Sequence, residues 1–239
     1  MDKNVDNLKN KLNQLSIEYS ESQIEKLLKY YEMLIEKNKV MNLTAITEFD
    51  EVVEKHFIDS LSIVRVIDME KVHSIIDIGT GAGFPGIPVK IMFPHIKFTL
   101  VDSLNKRVNF LNEVIENLEL RDIEAYHGRA EDYGRDKKFR EKYDLCVSRA
   151  VANLASLSEY CMPFVKPDGY FISYKAGECE DEIDNSKNAI KILSGKIEKV
   201  EKFSLPDSEI SRSFIKIKKI KNLSNKYPRK SGIPSRNPL

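Results

Sequence analysis

Two spacings of apolar residues divide this chain. Over roughly the first 70 residues the apolar positions recur at helical intervals. In "SESQIEKLLKYYEMLIEKNKVMNL" they are Ile24, Leu27, Leu28, Tyr31, Leu34 and Ile35; in "EFDEVVEKHFIDSLSIVRVI" they are Val52, Val53, Phe57, Leu61 and Val64. One face of a helix has this spacing, and Ser20 or Ser22 offers a side-chain oxygen to cap the first. From Val72 the pattern changes to short apolar runs: "SIIDI", "IKFTLVD", "IEAYH", "YDLCVSR", "GYFISYK", "KVEKFSL" and "RSFIKIKKI". Helical segments lie between the first five. "LNKRVNFLNEVIENLEL" puts Val108, Leu111, Val114, Ile115 and Leu118 on one face, and "ANLASLSEYCMPFV" does the same with Leu154, Leu157, Cys161 and Phe164. "VKPDG", 165–169, predicts a turn before the fifth strand.

Strand–helix alternation predicts an α/β fold with a mostly parallel sheet covered on both faces. Only "PDSEIS" joins the last two runs, which is too short for a parallel crossover, so they form an antiparallel hairpin. The chain thus divides into a helical cap over 1–70, an α/β domain over 71–221 and a tail over 222–239. The tail, rich in Pro, Ser and Lys/Arg, is expected to be extended.

The candidate chemistry begins where the first strand ends in glycines, "SIIDIGTGAGFPGIPVK". Glycine admits positive φ and lets a ligand approach the backbone. The helix that follows starts near Pro85, and a helix N-terminus favours an anionic group. From Gly81 the run fits the GxGxxG of dinucleotide binders, but that register starts after the apolar run has ended. Read at the strand end, the pattern is Asp77-x-Gly79-x-Gly81-x-Gly83. A carboxylate at Asp77 repels a diphosphate and suits an ammonium group. The charge argument therefore favours S-adenosylmethionine over NAD.

Asp102 ends the second strand, where a carboxylate can accept both hydroxyls of a ribose; the alternative is a cap for the helix that follows. After the third strand, "GRAEDY" offers the Ala130 backbone and Glu131 to an adenine amino group. Glu131 can equally be an ordinary acid at a helix start. Arg149 ends the fourth strand, on the edge of the sheet where open α/β folds bind ligands. It is the candidate for a catalytic role, with a surface ion pair as the alternative.

Composition narrows the partner. With 41% hydrophobic and 31% charged residues the chain is an ordinary soluble globular protein. No apolar run spans a membrane, and the polar start lacks the core of a signal peptide. Cys146, Cys161 and Cys179 have no CxxC spacing and the four histidines are scattered, so reduced thiols, a cytoplasmic location and no metal are expected. The formal net charge is +1, yet nine of the 38 Lys/Arg and none of the 37 Asp/Glu lie in 211–239. A basic end on an acidic body points to a polyanion met at one place.

The fourth strand's end is also informative for what it lacks. There is no Asn/Asp-Pro-Pro-aromatic stretch to hold an exocyclic amine, no Pro-Cys pair to present a thiolate, and no Gly-x-Ser-x-Gly elbow. Cys146, inside "DLCV", reads as core. An acceptor that needs neither a base nor a covalent nucleophile fits, and guanine N7 is one. An NAD-dependent oxidoreductase, or a non-catalytic RNA- or ribosome-binding protein on the same fold, are the rival readings.

The chain resembles the glucose-inhibited division protein B family, bacterial guanine-N7 methyltransferases of small-subunit ribosomal RNA. The resemblance is carried by "YYEMLIEKNKVMNLTAIT", "KHFIDSL", "DIGTGAGFPGIPVKI", "VDSLNKRVNFL", "GRAED", "SRAVANL" and "KYPRKSGIPSRNPL". It implies a class I methyltransferase (Rossmann-like) fold with seven strands, the last antiparallel, and S-adenosylmethionine as the donor. It further implies 16S rRNA or a small-subunit assembly particle as the partner. By motif position Gly79, Phe84, Ala130, Glu131 and Arg149 correspond to the family's cofactor contacts, beside Asp77, Gly81 and Asp102. Lys106, Arg107, Arg229 and Lys230 are candidate phosphate contacts. His56 and Asp59 of "KHFIDS" are expected to pack the cap rather than to act in catalysis. An Ala176 inserted in "YKAG" leaves Lys175 without an assigned role, and nothing in the sequence demands more than a monomer.

Overall fold

The computed structural model describes residues 2–239. Helices α1 (Asp2–Gln14) and α2 (Glu21–Met41) open the chain. Ser20 starts α2 through a capping box: its Oγ accepts the Gln23 N–H (3.3 Å), and Gln23 Oε1 accepts the Ser20 N–H (2.8 Å). The next stretch is helical but broken. It runs through α3 (Phe49–Val52), a π-helical turn (Val53–Ile58), α4 (Asp59–Leu61) and a 3₁₀ turn (Ser62–Arg65).

The α/β layer then follows in order: β1 (Ser74–Ile78), α5 (Gly86–Met92), β2 (Lys97–Asp102), α6 (Asn105–Asn117), β3 (Ile123–His127), α7 (Ala130–Tyr133), β4 (Tyr143–Arg149), α8 (Leu154–Cys161), β5 (Val165–Ala176), α9 (Glu180–Ile192), β6 (Gly195–Ser204) and β7 (Ser211–Lys219). The seven strands lie in the order β3-β2-β1-β4-β5-β7-β6. β1 to β5 are parallel, and β7 runs antiparallel between β5 and β6.

Alternation along the strands divides the core between two faces. Ile75, Leu145, Val147, Ile172 and Phe214 join the cluster that holds α2, the broken helix, α5 and α6. Ile76, Ile78, Cys146, Phe171 and Ile215 join the cluster with α8 and α9. The cap is docked by Tyr30, fully buried, whose hydroxyl donates to the Ala82 carbonyl in the glycine loop (2.6 Å).

Three expectations change. β5 begins at Val165, so Lys166–Asp168 belong to the strand; Asp168 takes φ 65 and a register shift against β4 between Tyr143 and Leu145 absorbs the irregularity. α9 lies between β5 and β6, a helix beyond those expected between the first five strands; of it Ser186, Ala189 and Ile190 are buried. The tail is not extended. Arg140 donates to the carbonyls of Leu223 (2.9 Å) and Tyr227 (2.8 Å), and Arg135 to that of Pro228 (2.6 Å). The chain then closes in a short helix α10 (Ile233–Arg236) against α8. Two guanidinium forks satisfy the carbonyls that an irregular segment leaves open. Among the described residues no helix is long and apolar enough to cross a membrane, and no cluster of metal-ligating side chains occurs.

Candidate functional site

The parallel strands β1, β2 and β4 end together, and the glycine loop leaves β1 at that edge. Gly79 has φ 71; its N–H donates to the Val101 carbonyl (2.8 Å), and a Cβ there would lie 2.4 Å from Val151 Cγ2. Only glycine lets the loop turn here beside the end of β4. Asp77, fully buried, accepts the Thr80 hydroxyl (2.7 Å) and the Gly86 N–H (3.0 Å) on Oδ2, while its Oδ1 has no protein partner. Burial pushes its carboxyl up to about 7, against the opposing pull of those two hydrogen bonds and of Arg149.

Asp102 is buried and ties the loop to α6. Its Oδ2 accepts the Gly81 N–H (2.9 Å) and its Oδ1 the Leu104 N–H (2.9 Å), with Arg107 Nη1 at 3.4 Å. The capping arrangement considered for Asp102 is thus present, together with a second bond that holds the glycine loop.

Two cavities flank the segment Arg149–Ala152. The first, about 240 Å³, is lined by Gly79, Val101, Ala130, Glu131, Val151, Tyr160 and Ser235, among others. The second, about 370 Å³, is lined by Ile46, Lys55, His56, Arg149, Ala150, Tyr174, Lys175, Ala176 and Arg212, with no acidic residue at its surface. Arg149 and Ala150 face one side and Val151 and Ala152 the other. Ala150 sits at φ 56, the left-handed backbone that this reversal requires.

Arg149 is held from three directions. Its Nη1 donates to Asp59 Oδ2 (2.7 Å) and to the Lys55 carbonyl (3.2 Å), and its guanidinium carbon lies 5.2 Å from the Phe84 ring centroid. That carbonyl is turned toward it by the π-helical turn, an irregularity common at functional sites. The other oxygen of Asp59 accepts Arg212 Nε (2.9 Å), so one buried carboxylate orients two cations. His56 stacks on Phe84 (4.5 Å between centroids) and its Nε2 is 2.9 Å from Thr44 Oγ1. Burial first, then the charge of Arg149, depress its ring to about 4, so it is neutral at physiological pH.

The structure brings Gly79, Ala130 and Glu131 together around the first cavity. Phe84 is elsewhere: its side chain is buried among Tyr30, Phe57 and His56 under the cap. Lys106 and Lys230 are exposed. Arg229, expected to reach a phosphate, instead grips the fully buried Glu159 with its backbone N–H (2.7 Å), Nε (3.0 Å) and Nη2 (2.6 Å). Lys175 donates to Glu182 (2.6 Å) and the Ala152 carbonyl (3.2 Å). Sequence reasoning leaves Asp59, His56 and Arg212 out of the site. The only trace is that "KHFIDS" carries four polar residues on a helix that otherwise reads as core packing.

Over residues 23–215 the chain matches the family described as rRNA small subunit methyltransferase G. It is similar to the ribosomal RNA small subunit methyltransferase G of Lachnoclostridium phytofermentans, 51% identical over 95% of this chain and 94% of that one. With the protein of the same name from Acetivibrio thermocellus the identity is 55%, over 93% and 91% of the two chains. Its fold is similar to that of M. jannaschii TYW2 in complex with AdoMet, with a TM-score of 0.50 and 15% identity over 63% of this chain and 70% of that one.

Proposed function

The chain belongs to the rRNA small subunit methyltransferase G family, and from that premise we propose that it methylates N7 of a guanine in small-subunit rRNA. It is a methyltransferase, and S-adenosylmethionine is its donor. The observation that carries the reading is the pair of cavities on either side of Arg149–Ala152, one edged by Glu131, glycines and small side chains, the other by cations.

The residues present fit the donor. The unpartnered, buried Oδ1 of Asp77 is an acceptor for which an ammonium group is the matching donor. Gly79 lines the cavity with backbone alone, and with no side chain of its own it lets Val151 close against the loop. Ala130 and Glu131 stand at the cavity for an adenine, and Asp102 has the ribose role once it releases the Gly81 N–H. When bound, S-adenosylmethionine supplies an electrophilic methyl on a sulfonium.

Guanine N7 carries a lone pair and no proton at neutral pH, so no general base is required. With the donor bound, its methyl would pass to that lone pair, the C–S bonding pair would stay on sulfur as a neutral thioether, and the positive charge would pass to the base. The protein's part is alignment and electrostatics. Arg149, fixed by Asp59 and Phe84, sits on the wall between donor and acceptor. Arg212, Lys55 and Lys175 supply charge for the phosphates around the target. Neutral His56 adds a flat stacking surface without adding charge to a site that must accept a cationic base.

Transfer of label from S-adenosylmethionine to small-subunit particles from cells lacking the protein, followed by nucleoside analysis, tests this. Label in 7-methylguanosine is the expected result. Label in another nucleoside overturns the N7 assignment, and no label on any particle overturns the substrate.

A further inference from the structure

We propose that residues 222–239 form a wall of the cofactor cleft, and that Arg229 and Glu159 are a positioning pair acting on the donor through Glu131. The proposal rests on the reading that the first cavity takes the adenosine part of S-adenosylmethionine.

Three contacts pin one short stretch of the tail to the helices beside that cavity. Glu159, in α8, is fully buried, and both its oxygens are occupied by Arg229. Three residues on, the Gly232 N–H donates to Glu131 Oε1 (2.9 Å). Then Ser156 Oγ, also in α8, donates to the Pro234 carbonyl (2.7 Å). Gly232 takes φ 79, so the chain turns between the first and last of these anchors in a backbone suited to glycine. The residue delivered by the turn is Ser235, which lines the cavity with Glu131 and Tyr160.

Glu131 is the joint of this arrangement. It is 4% exposed, yet it stands at the cavity, so one oxygen held by the tail leaves the other to face a ligand amino group. A carboxylate anchored on one side loses less freedom when a ligand is bound on the other. A purely solvated basic tail would show neither a fully buried counter-ion nor a backbone donor to a cleft residue. Lys226, Lys230 and Arg236 of the same strap remain exposed.

The test uses the full-length protein and titrates S-adenosylmethionine by calorimetry. Arg229→Ala and Glu131→Gln are each expected to weaken binding about tenfold, and the double variant by about tenfold again in total rather than a hundredfold, because the two act on one contact. Arg229→Lys should recover part of the loss. In methyl transfer the donor KM rises while kcat at saturating donor changes by less than about twofold. Arg229→Ala leaves a buried carboxylate unpaired and can unfold the protein; Arg229→Ala with Glu159→Leu removes both charges and serves as the folded variant, checked by circular dichroism. Wild-type protein that does not bind S-adenosylmethionine overturns the reading of the cleft and this proposal with it. Wild-type binding matched by a folded Arg229 variant, or losses that multiply in the double variant, overturn the proposal alone.

Discussion

The two cavities beside Arg149–Ala152 are built by opposite means. The first is shaped by backbone and small side chains: Gly79 at the loop, Ala130 at the start of α7, Val151 and Ala152 on the shared wall. Its acidic neighbours Asp102 and Glu131 are anchored by backbone N–H groups. The second is shaped by long cationic side chains, and its order depends on the single carboxylate of Asp59 holding Arg149 and Arg212. A small donor with one ammonium group needs close fit and a few acceptors. A polyanionic acceptor needs positive charge, and charge on long side chains must be fixed before it can orient a substrate.

The largest effect should come from Arg149, which lines the second cavity at the start of the segment between the two. Arg149→Ala is expected to lower methyl transfer more than about a hundredfold, since loss of alignment alone has effects of this size. Arg149→Lys should recover little, because an ammonium cannot reproduce a fork that reaches Asp59 and the Lys55 carbonyl together. Steady-state methyl transfer on small-subunit particles, with circular dichroism as the folding control, decides this.

Next is Asp59→Ala, which leaves two cations facing each other with no counter-ion. Urea denaturation should show a loss of about 3–5 kcal/mol. In the protein that stays folded, RNA affinity should fall more than donor affinity, which separates the two cavities directly.

A third contrast is in pH. Asp77, at about 7 in the folded protein against 3.8 normally, takes up a proton on folding between those values. Its contribution to stability is present at low pH and is lost as pH rises through about 7. His56, at about 4 against 6.5, does the reverse, and its contribution is lost as pH falls from 6.5 toward 4. Urea midpoints across this range should lose the alkaline decline in Asp77→Asn and the acid decline in His56→Gln. Donor affinity should rise with pH as Asp77 ionises, and this rise should flatten in Asp77→Asn.

The smallest effects belong to single phosphate contacts. Arg212→Ala, and more weakly Lys106→Ala or Lys230→Ala, should reduce the slope of log K against log salt for RNA binding by about 0.7–1 each. Donor affinity in Lys106→Ala and Lys230→Ala should stay at the wild-type value, and a shift there would place those lysines in the first cavity.

The first cavity was the more legible in sequence. "SIIDIGTGAGFPG" joins a strand, a turn and a helix start within one local segment, so residue types alone place Asp77 and Gly79 at a strand end. Ala130 follows a strand in the same way. The second cavity was less so. Asp59 meets Arg149 and Arg212 across 90 and 153 residues. Arg229 finds Glu159 across 70, and no local pattern distinguishes it from the exposed Lys230 beside it.

By itself the sequence determined the strand series, the closing hairpin and the glycine turn, since period, turn length and the tolerance of glycine for positive φ are local properties of the backbone. Tertiary structure decided which charges are buried and with whom. It folded the basic tail onto the body, turned Phe84 under the cap and gathered His56, Asp59 and Arg212 around Arg149. Pairing between distant charges depends on how the layers pack, because desolvation is set only when the partners meet in the folded core.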